Sequence, residues 1–166
     1  GIKCAPITAA RIAFFSSSEC DDLKFLRHKS DTANEVRAVS IATSTSPTSL
    51  GTVDLPGTAP ARGAATYGDI AYVGTDGNNA GAEFYVLDMT TSTAPVVVGS
   101  LEIGADVRAV AVSSTLAYLA TSDNSRELII VDVTTSTAPV ILGSLDINGV
   151  QDGTAVALRD TYAFVT

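Results

Sequence analysis

Two arginines, Arg62 and Arg108, stand 46 residues apart, each nine residues ahead of the alanine in an apolar-Ala-aromatic-apolar motif. Cys4 and Thr154 occupy the same offset before two further copies of that motif. A guanidinium presents a rigid fork of donors, so two at one level would hold a carboxylate or a phosphate. Asp106 and Asp152 also recur at equivalent positions and offer the competing partnership, an internal ion pair. Arg62 and Arg108 are therefore the candidate ligand-binding residues. Other chemistry is poorly provided for. His28, the single histidine, lies in a polar run with Lys24, Arg27, Lys29 and Asp31, where a solvated surface residue is expected and no metal site. Cys4 and Cys20 are too few for a disulfide scaffold and lack zinc-ligand spacing. Asp76 to Gly81 lacks the distal bidentate Glu of a calcium loop and reads as an ordinary turn. There is no Gly-x-Ser-x-Gly elbow and no glycine-rich loop opening a helix. No catalytic residue, metal or cofactor is assigned.

The elements that would position these residues come from a chain of 166 residues, 46% hydrophobic and 17% charged. Enough apolar side chain is present for a core, which excludes a disordered chain. Ten Lys+Arg against eighteen Asp+Glu give a formal charge of −8, the wrong sign for a nucleic-acid partner. No stretch approaches the roughly 18–20 apolar residues of a membrane-spanning helix.

The chain repeats itself. Thr90-Thr91-Ser92-Thr93-Ala94-Pro95 returns 44 residues later as Thr134-Thr135-Ser136-Thr137-Ala138-Pro139, with a weaker copy at Thr43 to Pro47. The alanine motif occurs as Ile12-Ala13-Phe14-Phe15, Ile70-Ala71-Tyr72-Val73, Leu116-Ala117-Tyr118-Leu119 and Tyr162-Ala163-Phe164-Val165. Each unit reads as four short strands. In the third, Val107 to Val112, Leu116 to Thr121, Glu127 to Val133 and Val140 to Ile147 are strands separated by turn residues. Four strands in about 44–46 residues is the size of a propeller blade. The expectation is an all-β chain, a β-propeller of four-stranded antiparallel blades. The repeat units run approximately 4–57, 58–104, 105–149 and a partial 150–166, within one segment spanning 1–166. That is about three and a half blades, 14 strands. Two chains would total 28 strands but would lack the same two outer strands, so the sequence reads as a piece of a longer chain.

Leu128-Ile129-Ile130-Val131-Asp132-Val133, followed by Thr/Ser, Ala-Pro, an apolar run and Gly-Ser, resembles the LVIVD repeat of bacterial and archaeal surface proteins. Phe84-Tyr85-Val86-Leu87-Asp88-Met89 is a fair copy, whereas Val36-Arg37-Ala38-Val39-Ser40-Ile41 has lost the Asp. The resemblance implies a propeller whose first strands line a central channel, and it carries no catalytic residue. It places Arg62 and Arg108 beside the channel mouth on the top face. Cys4 would share that face with Cys20, and a Cys4–Cys20 disulfide would stabilise by roughly 3 kcal/mol in the chain-entropy model. Ser16 to Asn34 would be a top-face insertion between the first unit's second and third strands. The Ser/Thr-rich turns would gather on the bottom face, as hydroxyl-stabilised turns with O-linked sugars as the alternative.

The functional expectation is a non-enzymatic, extracellular or cell-surface scaffold or recognition module. Its partner would be a protein or glycan held by the top-face loops, or further blades or another chain completing the sheet edge. The alternative is a propeller hydrolase or lyase with an anionic-ligand site at the channel mouth.

Overall fold

A computed structural model describes residues 11–14, 24–27, 35–43, 45–77, 80–147 and 151–166. All fourteen elements assigned among them are strands. They are β1 (Arg11–Phe14), β2 (Lys24–Arg27), β3 (Val36–Ser40), β4 (Thr48–Val53), β5 (Ala61–Tyr67), β6 (Ile70–Thr75) and β7 (Phe84–Asp88). They continue as β8 (Val96–Leu101), β9 (Val107–Ser113), β10 (Leu116–Thr121), β11 (Leu128–Asp132), β12 (Val140–Leu145), β13 (Val156–Arg159) and β14 (Tyr162–Val165). β5-β6-β7-β8 and β9-β10-β11-β12 are four-stranded antiparallel meanders, the second and third blades. β1-β2, β3-β4 and β13-β14 are two-stranded sheets. The chain is an all-β propeller segment of about three and a half blades.

In the second, third and fourth units the inner strand is joined to the second strand by a two-residue turn. Each needs a positive φ at its first residue, the primed geometry that matches strand twist. Gly68 supplies it at φ 58°, but Ser114 (55°) and Asp160 (54°) adopt it with a side chain present.

Blades stack through the third strand. β7 is buried on both faces, with Tyr85 and Leu87 packed into the cluster shared with β3 and β5. Phe84 and Val86 pack into the cluster shared with β9, β10 and β11. This two-sided burial explains why the segment is a continuous apolar run instead of an alternating one. Phe84 stacks on Tyr72 at 6.2 Å. Tyr85 completes the junction, its hydroxyl donating to the Pro56 carbonyl at 2.6 Å.

The aspartate closing that strand is a turn device. Asp88 Oδ1 accepts from the Thr90 N–H at 2.8 Å and from the Thr90 hydroxyl at 2.5 Å, and Asp132 Oδ1 accepts from the Thr134 N–H at 2.8 Å. The following turns close with Ala94 N–H to the Thr91 carbonyl and Ala138 N–H to the Thr135 carbonyl. Each turn then seats on the glycine of the preceding blade's outer strand. A Cβ on Gly51 would lie 2.6 Å from the Thr93 carbonyl oxygen, and one on Gly99 would strike the Ser136 carbonyl oxygen. Gly143, the next in the series, has nothing within 4 Å of the same position.

The first unit differs from expectation. The repeat spacing predicts a second strand at Ile12-Ala13-Phe14-Phe15, but β1 lies beside β5, in the inner place, and β2 lies beside β3. The stretch 16–34, read as a loop insertion, therefore contains a strand. A short run of small and apolar residues suits an inner strand as well as a second one, so the motif fixed the repeat without fixing its position in the blade.

Two consequences are measurable by chemical denaturation. Gly99→Ala is expected to destabilise by about 1–3 kcal/mol through overpacking against the next turn, whereas Gly143→Ala leaves the midpoint unchanged. Ser114→Gly is expected to stabilise by a few tenths of a kcal/mol up to about 1, by relieving a left-handed residue that carries a Cβ.

Candidate functional site

The loop-side ends of the inner strands bring the two predicted arginines to one level. Arg62 Nε and Nη2 donate to Asp76 Oδ1 and Oδ2 at 2.7 and 2.6 Å, a bidentate pair. The hydrogen bond to Asp76 holds the Arg62 proton more tightly than usual. Arg108 Nη2 lies 2.6 Å from Asp152 Oδ2 and 3.8 Å from Asp106 Oδ2. Asp106 also accepts from the Gly77 N–H at 2.9 Å, and its own N–H donates to Ser122 Oγ at 3.0 Å. Arg62, Asp76, Asp106 and Arg108 line a cleft of about 390 Å³. Signs alternate along this row, and both guanidinium forks already face carboxylates. An incoming anion would have to displace them. The pairs are half-exposed, so each is worth little in isolation; Arg62–Asp76 lies within the second blade, whereas Arg108–Asp152 ties the third blade to the connection into β13.

A second, larger cleft of about 540 Å³ opens beside this row, lined in part by Gly77, Glu83, Gly104, Asp106, Ser122 and Asp123. Asp123 organises its rim, accepting from the Ser125 hydroxyl (2.6 Å), the Ser125 N–H (2.9 Å) and Arg126 Nε (2.8 Å). These bonds, the Ser125 hydroxyl first, hold its carboxyl below the usual aspartate range. Arg126 Nη2 continues to the Ile103 carbonyl at 3.2 Å.

Beneath the row lies a feature that the sequence reasoning missed. Glu35, Glu83 and Glu127 stand one residue ahead of the third strand in successive blades, and all are at most 2% exposed. Glu35 Oε2 accepts from the Leu55 N–H at 3.0 Å, and Glu127 Oε2 from the Ile147 N–H at 3.0 Å. Glu83 Oε2 accepts two, from Ile103 (2.8 Å) and Gly104 (3.0 Å). In each case a donor lies twenty residues on, where the outer strand leaves for the next blade, and Gly104 follows at twenty-one. Pro56 stands where Gly104 does and has no N–H to give, so Glu35 Oε2 lacks the second donor that Glu83 Oε2 has; Glu35 Oε1 and Glu127 Oε1 are both buried without a hydrogen-bond partner among the described residues. The detectable signal was the spacing, 48 and then 44 residues, which matches the repeat. An acid flanking an apolar run carries no local sign of burial.

Of the other predicted residues, Cys4, Cys20 and His28 lie outside the described residues. Among the described residues no group of three or more His, Cys, Asp or Glu is placed to hold a metal ion. No helix there is long and apolar enough to cross a membrane. Thr91, Thr93, Thr135 and Thr137 are exposed, while Pro95 and Pro139 behind them are buried.

Glu83→Ala would orphan the buried Ile103 N–H, costing about 1–3 kcal/mol, and would also release the part-buried Gly104 N–H. A urea titration is expected to show a loss in that range or above, with Glu83→Gln retaining part of it. Acid provides an independent check. Asp132, like Asp123, sits below the usual range, chiefly through the Thr134 hydroxyl. The stability these two contribute is complete above an unfolded value of about 3.9 and is lost as pH falls through their lower folded values. Thermal melts between pH 5 and pH 2 (roughly one unit above to two units below that value) should therefore fall less steeply for Ser125→Ala and Thr134→Val than for the parent chain.

No curated protein matches the chain. A family model described as the LVIVD repeat matches residues 104–147, which is the connection into β9 followed by the whole third blade. The third blade is thus an LVIVD repeat, and the second blade shares its apolar third strand and closing aspartate, so the chain carries the LVIVD repeat in a β-propeller segment.

Proposed function

We propose that the chain is a non-enzymatic scaffold or recognition module, working outside the cell or on its surface, whose top-face loops hold a protein or glycan partner. The observation that carries this reading is the engagement of Arg62 with Asp76 and of Arg108 with Asp152. Groups at the channel mouth that would bind an anion are already turned toward one another. Beside them, the 540 Å³ cleft and its rim present backbone, hydroxyl and amide groups together with the acids Glu83, Asp106 and Asp123, and Asn124 and Ser125 are exposed on a loop braced by Asp123 and Arg126. Rigid blades displaying short polar loops suit recognition by many weak hydrogen bonds.

The test has two parts. Proteolytic shaving of intact source cells should release peptides of this chain while leaving cytoplasmic proteins untouched. Immobilised chain should then capture a component of a glycan or extracellular-protein array, and capture should be lost on Asn124→Arg but retained in Arg62→Ala/Arg108→Ala. Retention in the loop variant with loss in the arginine variant would instead favour an anion site at the channel mouth.

A further inference from the structure

The turns between the third and outer strands carry hydroxyls that the fold does not use. In both four-stranded blades the turn reads Thr-Thr-Ser-Thr-Ala-Pro, at 90–95 and again at 134–139. The first threonine bonds the aspartate that closes the third strand, Thr90 to Asp88 and Thr134 to Asp132. The backbone closes the turn through the Thr91 and Thr135 carbonyls, and the Thr93 and Ser136 carbonyls approach Gly51 and Gly99. Buried Pro95 and Pro139 anchor the exit. The side chains of Thr91, Thr93, Thr135 and Thr137 are left over. All four are exposed, and among the described residues none of their hydroxyls makes a hydrogen bond.

Nothing in the turn itself asks for threonine at these four places, because its bonds come from the backbone and any small polar residue would complete it. Yet the six turn residues are identical between the blades, whereas the buried third strands Phe84-Tyr85-Val86-Leu87 and Leu128-Ile129-Ile130-Val131 share no residue in register. Packing holds the core only to apolar residues of suitable volume, so the identity of the turns needs a cause on their exposed side. The second blade has the third packed against it, and Thr91 and Thr93 are exposed all the same. Both turns lie at the end of the blade that holds the inner hairpins, where the Met89 N–H donates to the Asp69 carbonyl and the Val133 N–H to the Thr115 carbonyl. That is the bottom face, opposite the Arg62 and Arg108 row.

We propose that Thr91, Thr93, Thr135 and Thr137 are O-glycosylation sites that carry neutral sugars along the bottom rim. The donor is a sugar activated as its anomeric phosphate ester, brought by a separate transferase. The threonine Oγ1 attacks the anomeric carbon, and the new C–O bond forms as the bond from that carbon to the phosphate oxygen breaks. The phosphate leaves with the bonding pair, and the hydroxyl proton passes to a base of the transferase. Hydroxyl-rich stretches punctuated by proline are the composition on which such sugars are carried. The coat would leave the top-face loops uncovered, and the inference stands apart from whatever those loops bind.

Peptide mapping of the chain purified from its source cells tests it. Trypsin cuts after Arg62, Arg108, Arg126 and Arg159, which isolates one turn in 63–108, the other in 127–159 and neither in 109–126. The last peptide is an internal control, because Ser113, Ser114, Thr115 and Ser125 are exposed there outside any such turn. The two turn peptides are expected above their sequence masses by whole sugar residues, with electron-transfer fragmentation placing the increments on the four threonines. The 109–126 peptide should run at its sequence mass. Thr91→Val/Thr93→Val removes no side-chain hydrogen bond, so it should fold with unchanged circular dichroism. It should lose the whole increment from 63–108 and keep it on 127–159. Turn peptides at their sequence masses in the source protein would overturn the proposal. So would phosphate in place of sugar, increments placed outside the four threonines, or sugar carried equally by 109–126.

Discussion

A carboxylate taken out of water needs donors around it, and Glu35, Glu83 and Glu127 solve that need in one way. Each reaches from the start of a third strand to the backbone N–H of the residue that ends the outer strand's exit, twenty positions later. The bond joins the middle of a blade to the connection leaving it. That connection then delivers the next inner strand, and with it Arg108 and the Asp106 and Asp152 carboxylates, to the level where they meet. The charged row on the top face is thus downstream of a buried charge that is not itself part of any cleft chemistry, apart from the edge that Glu83 contributes to the 540 Å³ cleft.

The like charge of Glu102 shows what this costs. Its carboxyl lies close to Glu83 and is pushed above the ordinary glutamate range by that neighbour. Buried acids with good donors tolerate such company because charge-assisted bonds are strong. At the opposite end of the blades the constraint is steric. A turn closed by Asp88 or Asp132 must reach the preceding outer strand, and only a glycine there lets its carbonyl approach. Between these two ends the apolar third strand is compressed from both sides, which is why Phe84, Val86, Ile129 and Val131 are completely buried.

Much of this was legible in the sequence. The repeat spacing, the tight turns and the third-blade strands emerge within a residue or two of their observed bounds, because local turn chemistry and apolar runs coincide there. The pairing of Arg108 with Asp152 was visible as a competing partnership, since both recur at fixed offsets. The Arg62–Asp76 fork was not, because Asp76 lies past the second strand, in a stretch read as an unrelated turn. The glutamates were hidden for a different reason: a flanking acid looks solvated until the chain returns to cover it. In the first unit the alanine motif misplaced a strand, as small apolar runs do not distinguish an inner strand from its neighbour.

Amide hydrogen exchange addresses the buried-glutamate account most directly. The Leu55, Ile103, Gly104 and Ile147 amides sit in connections that would otherwise exchange at loop rates. They should exchange only with global unfolding in the parent chain, and in Glu83→Ala the Ile103 and Gly104 amides alone should become fast. Fast exchange of all four in the parent chain would contradict the claim that these carboxylates hold one blade to the next.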